Sequence, residues 1–187
     1  MALRVSEYFY SIQGEGITMG VPAVFIRLQG CNLLCESKDW ICDSIEVWKK
    51  GEKIDSEEFA DGITNLYGDK LKQGAHLIFT GGEPMNQQKG IVEFLDAFYA
   101  INKFCPFVEI ETNGTKVLTN DMIESVDLIN CSPKLSNAGM PLSRTIKHDS
   151  LKQINEFPNS IFKFVIAEHE DILEVKQIIK DVGLEAR

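Results

Sequence analysis

Short apolar runs alternate with amphipathic stretches along this chain, and each run ends in a polar or glycine-rich segment. The runs are rich in β-branched and aromatic residues, a composition typical of strands. They lie at residues 23–28, 76–80, 107–111, 127–130 and 161–166. Strands that alternate with helices favour an α/β fold with a parallel sheet and right-handed crossovers.

The stretches between these runs carry apolar residues at helical spacing and predict amphipathic helices whose apolar faces belong to the core. The first begins at Asp55, where Glu58 three residues further on gives a start that resembles a capping box. The apolar faces comprise Phe59, Ile63 and Leu66 in this helix, Ile91, Phe94, Leu95 and Phe98 in another, and Ile172, Val175, Ile178 and Ile179 in the last.

Distinctive polar or glycine-rich segments follow four consecutive predicted strands. The loops after the carboxyl ends of parallel strands gather the functional groups of such folds, so these segments form the candidate site. They are Gly30 with Cys31, residues 81–84 (Gly-Gly-Glu-Pro), residues 111–114 (Glu-Thr-Asn-Gly) and residues 132–134 (Ser-Pro-Lys). Each segment alone is ordinary turn chemistry. Two glycines without Cβ atoms would, however, expose backbone groups to a ligand.

Three of the five cysteines, Cys31, Cys35 and Cys42, lie within twelve residues directly after the first predicted strand. Three thiolates can bind three irons of a cubane cluster and leave the fourth iron open to a substrate or cofactor. A zinc site with one histidine is the alternative, although the three histidines lie far along the chain. Disulfides fit less well, because the cysteine count is odd and the chain shows no signal peptide. The cysteines alone leave cluster and zinc both open.

Composition limits the class of protein rather than identifying it. The 187 residues, 44% of them hydrophobic, suffice for one domain over residues 1–187 with a substantial core. The 28 acidic and 19 basic residues give a formal net charge of -9, which disfavours nucleic acid and anionic membranes as partners. We find no apolar segment of membrane-spanning length in the sequence, so a cytoplasmic location is expected.

The cysteine loop, the Gly-Gly-Glu-Pro segment and the other strand-end segments together resemble the radical S-adenosylmethionine (SAM) enzymes. In that superfamily the methionine part of SAM chelates the open iron, and reduction of the cluster releases a 5′-deoxyadenosyl radical. The resemblance implies a 4Fe-4S cluster held by Cys31, Cys35 and Cys42, with SAM as cofactor. A full barrel needs roughly 200 residues or more, so we expect an incomplete TIM-type barrel of about six parallel strands with outer helices.

A narrower resemblance begins at residues 8–16 (Tyr-Phe-Tyr-Ser-Ile-Gln-Gly-Glu-Gly), continues through residues 20–33 and ends at residues 132–134. These motifs are similar to those of the 7-carboxy-7-deazaguanine synthase family of queuosine-type 7-deazapurine biosynthesis. The resemblance implies a lyase that converts 6-carboxy-5,6,7,8-tetrahydropterin to 7-carboxy-7-deazaguanine with ring contraction and loss of ammonia. The cofactor carries such chemistry, and the protein orients the substrate beside it.

Residue roles follow from this resemblance. Glu15 and Arg27 are expected to act closest to the reaction, and Arg27, a lone charge in an apolar strand, can clamp a carboxylate in a bidentate way. The expected pterin contacts are Ile12, Gln13, Gly14, Glu15, Gly16, Arg27 and Thr80. The expected SAM contacts are Gly81, Gly82, Glu83, Glu111, Asn113, Ser132 and Lys134.

Two features depart from the common family pattern. Six residues separate Cys35 from Cys42, where the family usually has two, and a loop extension of this size costs little closure entropy. Ser44 follows Asp43 where the family has threonine. In the family the hydroxyl at this position binds a magnesium ion that also contacts the substrate, and serine keeps that oxygen, so the resemblance implies that Ser44 binds Mg²⁺.

The remaining cysteines and the chain length give further expectations. Cys105, before Pro106, is interpreted as a buried apolar side chain, and Cys131 as a neighbour of the site rather than a fourth ligand. The chain stops at Arg187, short of the usual family length, so a missing C-terminal segment is one interpretation. An uncovered sheet edge would favour a homodimer. The resemblance also implies an electron donor such as flavodoxin.

Two other classes of function remain open from the sequence. One is a radical SAM activase that forms a glycyl radical on a partner protein, which would have no use for residues 13–16. The other is a non-catalytic zinc-binding or cluster-binding module. The visible absorption of an iron-sulfur protein, lost on reduction, distinguishes a cluster from colourless zinc.

Overall fold

The computed structural model describes residues 1–37 and 41–184, and within them seven strands form one sheet. The strands are β1 Ala2–Ile12, β2 Pro22–Leu28, β3 Glu52–Asp55, β4 His76–Gly81, β5 Val108–Thr112, β6 Leu128–Cys131 and β7 Ser160–Phe162. Their order across the sheet is β3-β1-β2-β4-β5-β6-β7.

Most of this sheet is parallel. β1 is antiparallel to β2 and β3, whereas β2, β4, β5, β6 and β7 are parallel to one another. The predicted α/β class with a mainly parallel sheet is confirmed. In the described part of the chain, five strands rather than about six run parallel. The reason is that residues 13–21, which join β1 to β2, are too few for a parallel crossover of about a dozen residues or more.

The described residues form seven helices, most of which contribute buried side chains to the core on the outer face of the sheet. They are α1 Ile45–Trp48, α2 Ser56–Lys72, α3 Gln88–Asn102, α4 Asn120–Glu124, α5 Leu142–Thr145, α6 His148–Glu156 and α7 His169–Val182. Short 3-10 turns lie at Gly16–Thr18, Pro84–Gln87 and Ser136–Ala138. Asp55 caps α2 as predicted, because its Oδ1 accepts the N–H groups of Glu57 (2.9 Å) and Glu58 (3.5 Å). None of the helices in the described residues combines the length and apolarity that a membrane span requires.

The main core lies between the sheet and helices α2 and α3. Phe79 of β4 meets Phe94 of α3 edge to face with ring centroids 5.7 Å apart, and Ile63 of α2 is fully buried. Each fully buried side chain of this size contributes about 1.5–3 kcal/mol. The predicted place of Leu66 in this core is wrong, since its side chain is 58% exposed. Tyr67, one helical turn after Ile63, packs against the core instead.

Both ends of the sheet depart from the sequence prediction. The apolar run at residues 161–166 forms a strand only over Ser160–Phe162, because β7 is the last strand in the sheet order and pairs on one side only. Ile172 and Ile179 of the adjacent α7 are 38% and 39% exposed rather than core residues. At the other end, β1 and β3 form strands that the apolar runs did not indicate.

Polar side chains line the inner face of the sheet. On β5, Val108 and Ile110 belong to the main core, so the alternating Glu109 and Glu111 point to the opposite face. Thr80 of β4 reaches the same face, since its hydroxyl donates to Glu111 (2.7 Å). This polar inner face is the floor of the candidate site.

Candidate active site

The inner face and the carboxyl ends of the parallel strands enclose one cavity of about 520 Å³. Most of the residues that the sequence singled out lie in its wall, and Gly16 and Glu83 lie outside it. Those in the wall are Ile12, Gln13, Gly14, Glu15, Arg27, Cys31, Cys35, Cys42, Ser44, Thr80, Gly81, Gly82, Glu111, Asn113, Ser132 and Lys134. The fold therefore gathers positions that are up to 122 residues apart in sequence, from Ile12 to Lys134.

Three cysteines lie together in the cavity wall. Cys31 follows the end of β2, and the Cys42 N–H donates to the Cys35 carbonyl (2.9 Å), which closes the loop that carries both thiols. Residues 38–40 of this loop lie outside the described residues. The effect of the long spacing on the cluster loop therefore stays a prediction.

Burial sets the chemistry of these thiols. Desolvation raises the pKa of Cys31, and it raises the pKa of Cys35 to about 11. Lys134 partly opposes the rise at Cys35, whereas Cys42 adds to it by charge repulsion. Both thiols are consequently protonated at neutral pH until a cationic metal favours the thiolate. Across residues 1–37 and 41–184, no group of three or more His, Cys, Asp or Glu side chains is placed to hold a metal ion.

The segment after β6 supports the cysteine loop. The Glu36 N–H donates to the Ala138 carbonyl (3.1 Å), and Cys35 packs in a small apolar cluster with Ala138 and Met140. Gly139 has φ +75°, and a Cβ there would lie 1.7 Å from the Glu36 carbonyl oxygen. Only glycine permits this close approach, so the backbone after β6 fixes the position of Cys35.

The two glycines at the end of β4, Gly81 within the strand and Gly82 directly after it, are required by the local packing. A Cβ on Gly81 would lie 2.5 Å from the Leu28 backbone nitrogen, and one on Gly82 would lie 2.0 Å from the Gly30 carbonyl oxygen. The ends of β2 and β4 therefore approach each other only without side chains. Their closeness places Gly81 and Gly82 beside Cys31 in the cavity wall.

Glu83 points into the protein rather than into the cavity. It is 0% exposed, and its oxygens accept hydrogen bonds from the Thr112 hydroxyl (2.7 Å), the Asn113 N–H (2.7 Å) and the Met85 N–H (2.9 Å). Desolvation raises the pKa of this carboxyl, and the three donors partly oppose the rise. Glu83 thus joins the end of β4 to the end of β5, and its expected SAM contact would be indirect.

Asn113 connects this junction to the cysteine loop. Its Nδ2 donates to Asn32 Oδ1 (3.1 Å) and lies 3.9 Å from the Cys31 sulfur, while its Oδ1 accepts from the Thr115 N–H (3.0 Å). Every polar atom of this side chain is therefore directed by a neighbour. Asn113 is held with one face at the cavity and beside the first cysteine.

Residues 13–21, which we call the hairpin tip, reach across the inner face. Gln13 Nε2 donates to Glu111 Oε1 (3.0 Å), and Glu15 Oε2 lies 2.7 Å from Lys163 Nζ. Gln13 is buried, whereas Glu15 is largely exposed. Lys163 follows β7 and lies in the cavity wall, and sequence reasoning missed it because its partner is 148 residues away. An isolated lysine in an apolar run was the only available signal.

Arg27 lies on the inner face of β2 with partners on β1. Its Nε is 2.9 Å from Glu7 Oε1 without an aligned hydrogen bond, and its guanidinium carbon lies 5.8 Å from the Phe9 ring centroid. The side chain is 27% exposed and lies in the cavity wall. A ligand carboxylate at Arg27 would therefore compete with Glu7 for the guanidinium.

Ser44 lies at the cavity rim beside an acidic neighbour. Its hydroxyl donates to Asp43 Oδ1 (3.1 Å), and both residues lie in the cavity wall. Lys134, another residue of the cavity wall, donates from its Nζ to the Ser132 hydroxyl (3.0 Å). The cavity wall thus contains oxygen donors and a positively charged side chain.

The two remaining cysteines have different surroundings. Cys105 is exposed, so the prediction of a buried side chain is wrong. It precedes Pro106 in the connection between α3 and β5, where no element covers it in the described part of the chain. Cys131 is fully buried at the end of β6, and desolvation raises the pKa of its thiol strongly. A Cβ on Gly114 would lie 2.6 Å from the Cys131 sulfur, so this thiol fills space under the loop after β5.

Three cysteines in the loop after one strand of a partial barrel are typical of proteins that bind a single iron-sulfur cluster. In agreement, the family model described as a 4Fe-4S single cluster domain matches residues 12–155. The chain belongs to the 7-carboxy-7-deazaguanine synthase family. An iron-sulfur cluster and SAM are the cofactors that this family, one of radical SAM enzymes, implies.

Individual relatives cover nearly the whole chain. The 7-carboxy-7-deazaguanine synthase of Pyrobaculum aerophilum is 34% identical over 185 residues, which are 97% of this chain and 75% of the relative. That of Rickettsia prowazekii is 36% identical over 188 residues, which are 98% of this chain and 69% of the relative. Among solved structures, QueE from Escherichia coli is similar with a TM-score of 0.69 and 25% identity, over 96% of this chain and 78% of that chain.

Proposed function

We propose that this chain converts 6-carboxy-5,6,7,8-tetrahydropterin to 7-carboxy-7-deazaguanine with ring contraction and loss of ammonia. The supporting observation is that three thiols and a polar hairpin tip line one cavity of about 520 Å³. This size suits a site for small molecules, since such sites typically enclose about 300–1,000 Å³. Relatives that carry the synthase name match this chain over nearly its full length.

The thiols in the cavity match a cluster with one open iron in number and chemical type, whereas their placement in the described structure does not form a metal site. Cys31, Cys35 and Cys42 lie in the wall, whereas Cys131 is buried away from it and Cys105 is exposed elsewhere. Three thiolates leave the fourth iron of a cubane without a protein ligand. When bound, the cluster and SAM supply the one-electron chemistry of the reaction.

The SAM side of the cavity adjoins the cysteines. We assign the methionine part to the backbone of Gly81 and Gly82. Glu83 supports this backbone from the protein interior, where it is bonded to the end of β5. The rest of SAM is assigned to Glu111 at the end of β5, Asn113 directly after it, and Ser132 and Lys134 after β6. A backbone edge without side chains allows a ligand's ammonium and carboxylate groups to approach closely.

The pterin side is formed by the hairpin tip and β2. Arg27 is assigned to the substrate carboxylate, because a guanidinium binds such a group in a bidentate way. Glu15 is assigned a role close to the reacting ring, where Lys163 orients it. The remaining assigned contacts are Ile12, Gln13, Gly14, Gly16 and Thr80. Gln13 and Thr80 both bond to Glu111, so their polar atoms are already oriented along one wall.

A magnesium ion is assigned to Ser44 at the rim. The neighbouring Asp43 carboxylate and the Ser44 hydroxyl are hard oxygen donors of the kind that Mg²⁺ prefers. The substrate carboxylate would complete such a site.

The assembly and its surroundings complete the proposal. We assign the protein to the cytoplasm as a homodimer that takes electrons from a donor such as flavodoxin. Among the described strands, β1 beyond Val5 pairs with β2 alone, which leaves an edge that a second copy could cover. Residues 1–187 act as one domain in this proposal.

One anaerobic experiment tests the reaction. The protein is reconstituted with iron and sulfide and incubated with SAM, dithionite and 6-carboxy-5,6,7,8-tetrahydropterin, with and without Mg²⁺. We expect about four irons per chain and 7-carboxy-7-deazaguanine by mass spectrometry. Cys35→Ala should abolish both, while Cys105→Ala, a matched control at an exposed cysteine, should change neither. A fully loaded protein that forms no product refutes the proposed reaction.

A further inference from the structure

One buried carboxylate on the inner face of the sheet has no part in the contacts assigned so far. Glu109 of β5 is 0% exposed and does not line the cavity. Burying a carboxylate is costly unless donors surround it. Its Oε1 lies against His76 Nδ1, and its Oε2 accepts from the Thr18 hydroxyl (3.0 Å) and from Asn130 Nδ2 (3.1 Å).

One of these partners belongs to the hairpin tip. Thr18 ends the 3-10 turn Gly16–Thr18, whose first residue is the last of the proposed pterin contacts in the tip. The Thr18 carbonyl accepts the Val21 N–H (3.0 Å), and the Gly20 N–H donates to the Gln13 carbonyl (2.8 Å). The tip is therefore a hydrogen-bonded unit, and a restraint at Thr18 acts on Gln13.

The hairpin tip packs closely against the inner face of the sheet at Gly16. Gly16 has φ +70°, and a Cβ there would lie 3.1 Å from Asn130 Oδ1. Glu109 binds the Asn130 amide and the Thr18 hydroxyl with the same oxygen. Two glutamates on one face of β5 thus hold the hairpin tip at two points. Glu111 accepts a hydrogen bond from Gln13, and Glu109 accepts one from Thr18.

We propose that Glu109 is a positioning residue that holds the hairpin tip over the inner face, so that Gln13 and Glu15 are already in place when the pterin binds. This inference rests on the proposed function, because it takes the tip as the pterin site. Without the restraint, the tip would lose conformational entropy on binding the pterin. In the described structure, neither Glu109 nor Thr18 has a side-chain hydrogen bond to a residue assigned to SAM, so the SAM affinity should be nearly independent of Glu109.

The test uses Thr18, since its side chain is only half-buried and its replacement spares the core. Thr18→Val removes the hydroxyl at nearly constant shape, and Thr18→Ser keeps it. Anaerobic calorimetry on the cluster-loaded protein should show a dissociation constant for 6-carboxy-5,6,7,8-tetrahydropterin about tenfold higher in Thr18→Val. The SAM affinity should be unchanged, and Thr18→Ser should resemble the wild type.

A second measurement does not depend on the substrate. Amide hydrogen exchange of residues 13–20 should be faster in Thr18→Val than in Thr18→Ser, with exchange in β4 and β5 unchanged. The positioning role is refuted if both variants behave alike, if pterin and SAM affinities fall together, or if exchange in the tip is unaltered. A wild type that binds no pterin refutes the proposed function instead, and the exchange data still decide the role of Glu109.

Discussion

Replacing Glu83 by glutamine tests the junction between β4 and β5 with the loss of one charge and almost no change in shape. In the wild type, Glu83 accepts three hydrogen bonds within 2.9 Å and has no contact with solvent. Glutamine has one acceptor oxygen and one amino group. If its oxygen accepts from Met85 and Thr112, its amino group faces the Asn113 N–H. The Asn113 N–H then loses its acceptor and the new amino group has none, which leaves two buried donors without partners.

The expected cost follows from those two donors. Each buried donor without a partner costs about 1–3 kcal/mol, so Glu83→Gln should lower the free energy of unfolding by roughly 3 kcal/mol. For a chain of this size the melting temperature should fall by about 6–12 °C. Thr112→Val removes one donor from the carboxylate and also the acceptor of the Gly114 N–H (3.1 Å), so we expect a loss of about 2 kcal/mol.

Urea unfolding of the metal-free protein, followed by circular dichroism, measures this difference. Glu46→Gln is the matched control, because Glu46 is 81% exposed, lies 3.8 Å from Lys49 and should change stability by less than about 0.5 kcal/mol. If Glu83→Gln were as stable as the control, the hydrogen bonds at Glu83 would not stabilise the strand junction and the reasoning would fail.

Three further predictions concern the thiols, the cation site and the carboxylate clamp. Because burial raises the pKa of Cys35 from 9.0 to about 11, the folded metal-free protein holds this proton longer than the unfolded chain. Cys35 therefore contributes stability that is complete below about pH 9 and is lost towards pH 11, and Cys35→Ser should flatten that decline in denaturation midpoints measured across this range. Ser44→Ala should weaken the magnesium dependence of turnover, and an unchanged response to magnesium would remove Ser44 from the cation site. Arg27→Lys keeps the charge but not the planar fork, so KM for the pterin should rise about tenfold with little change in KM for SAM; an equal rise in both would contradict the assigned clamp.

Local patterns in the sequence predicted the middle of the fold well. The apolar runs that became β2, β4, β5 and β6 are short, β-branched and bounded by turn residues, so strand formation there depends on neighbours in sequence. The start of α2 was predictable for the same reason, since Asp55 caps a helix that begins at the next residue. The edges of the sheet were harder to predict, because the length of β7 depends on a neighbouring strand rather than on its own residues.

Some features of the candidate site could likewise be predicted from local sequence, and others could not. Cys31, Gly81 and Asn113 were identified because each follows a strand, and parallel strands bring their carboxyl ends to one edge. The inward direction of Glu83 and the exposure of Cys105 were not predictable, because they depend on packing between elements distant in sequence.

The sequence by itself determined the class of fold, the three clustered thiols and the strand-end segments that surround them, because these depend on periodicity and on spacing within a loop. Only the tertiary structure decided that Glu15 meets Lys163 and that Glu109 holds Thr18. These contacts join residues 148 and 91 positions apart in sequence, and they form only after the hairpin tip folds across the sheet. No local pattern of side chains encodes which partner the folded chain brings close to a charged group, whether that group is exposed like Glu15 or buried like Glu109.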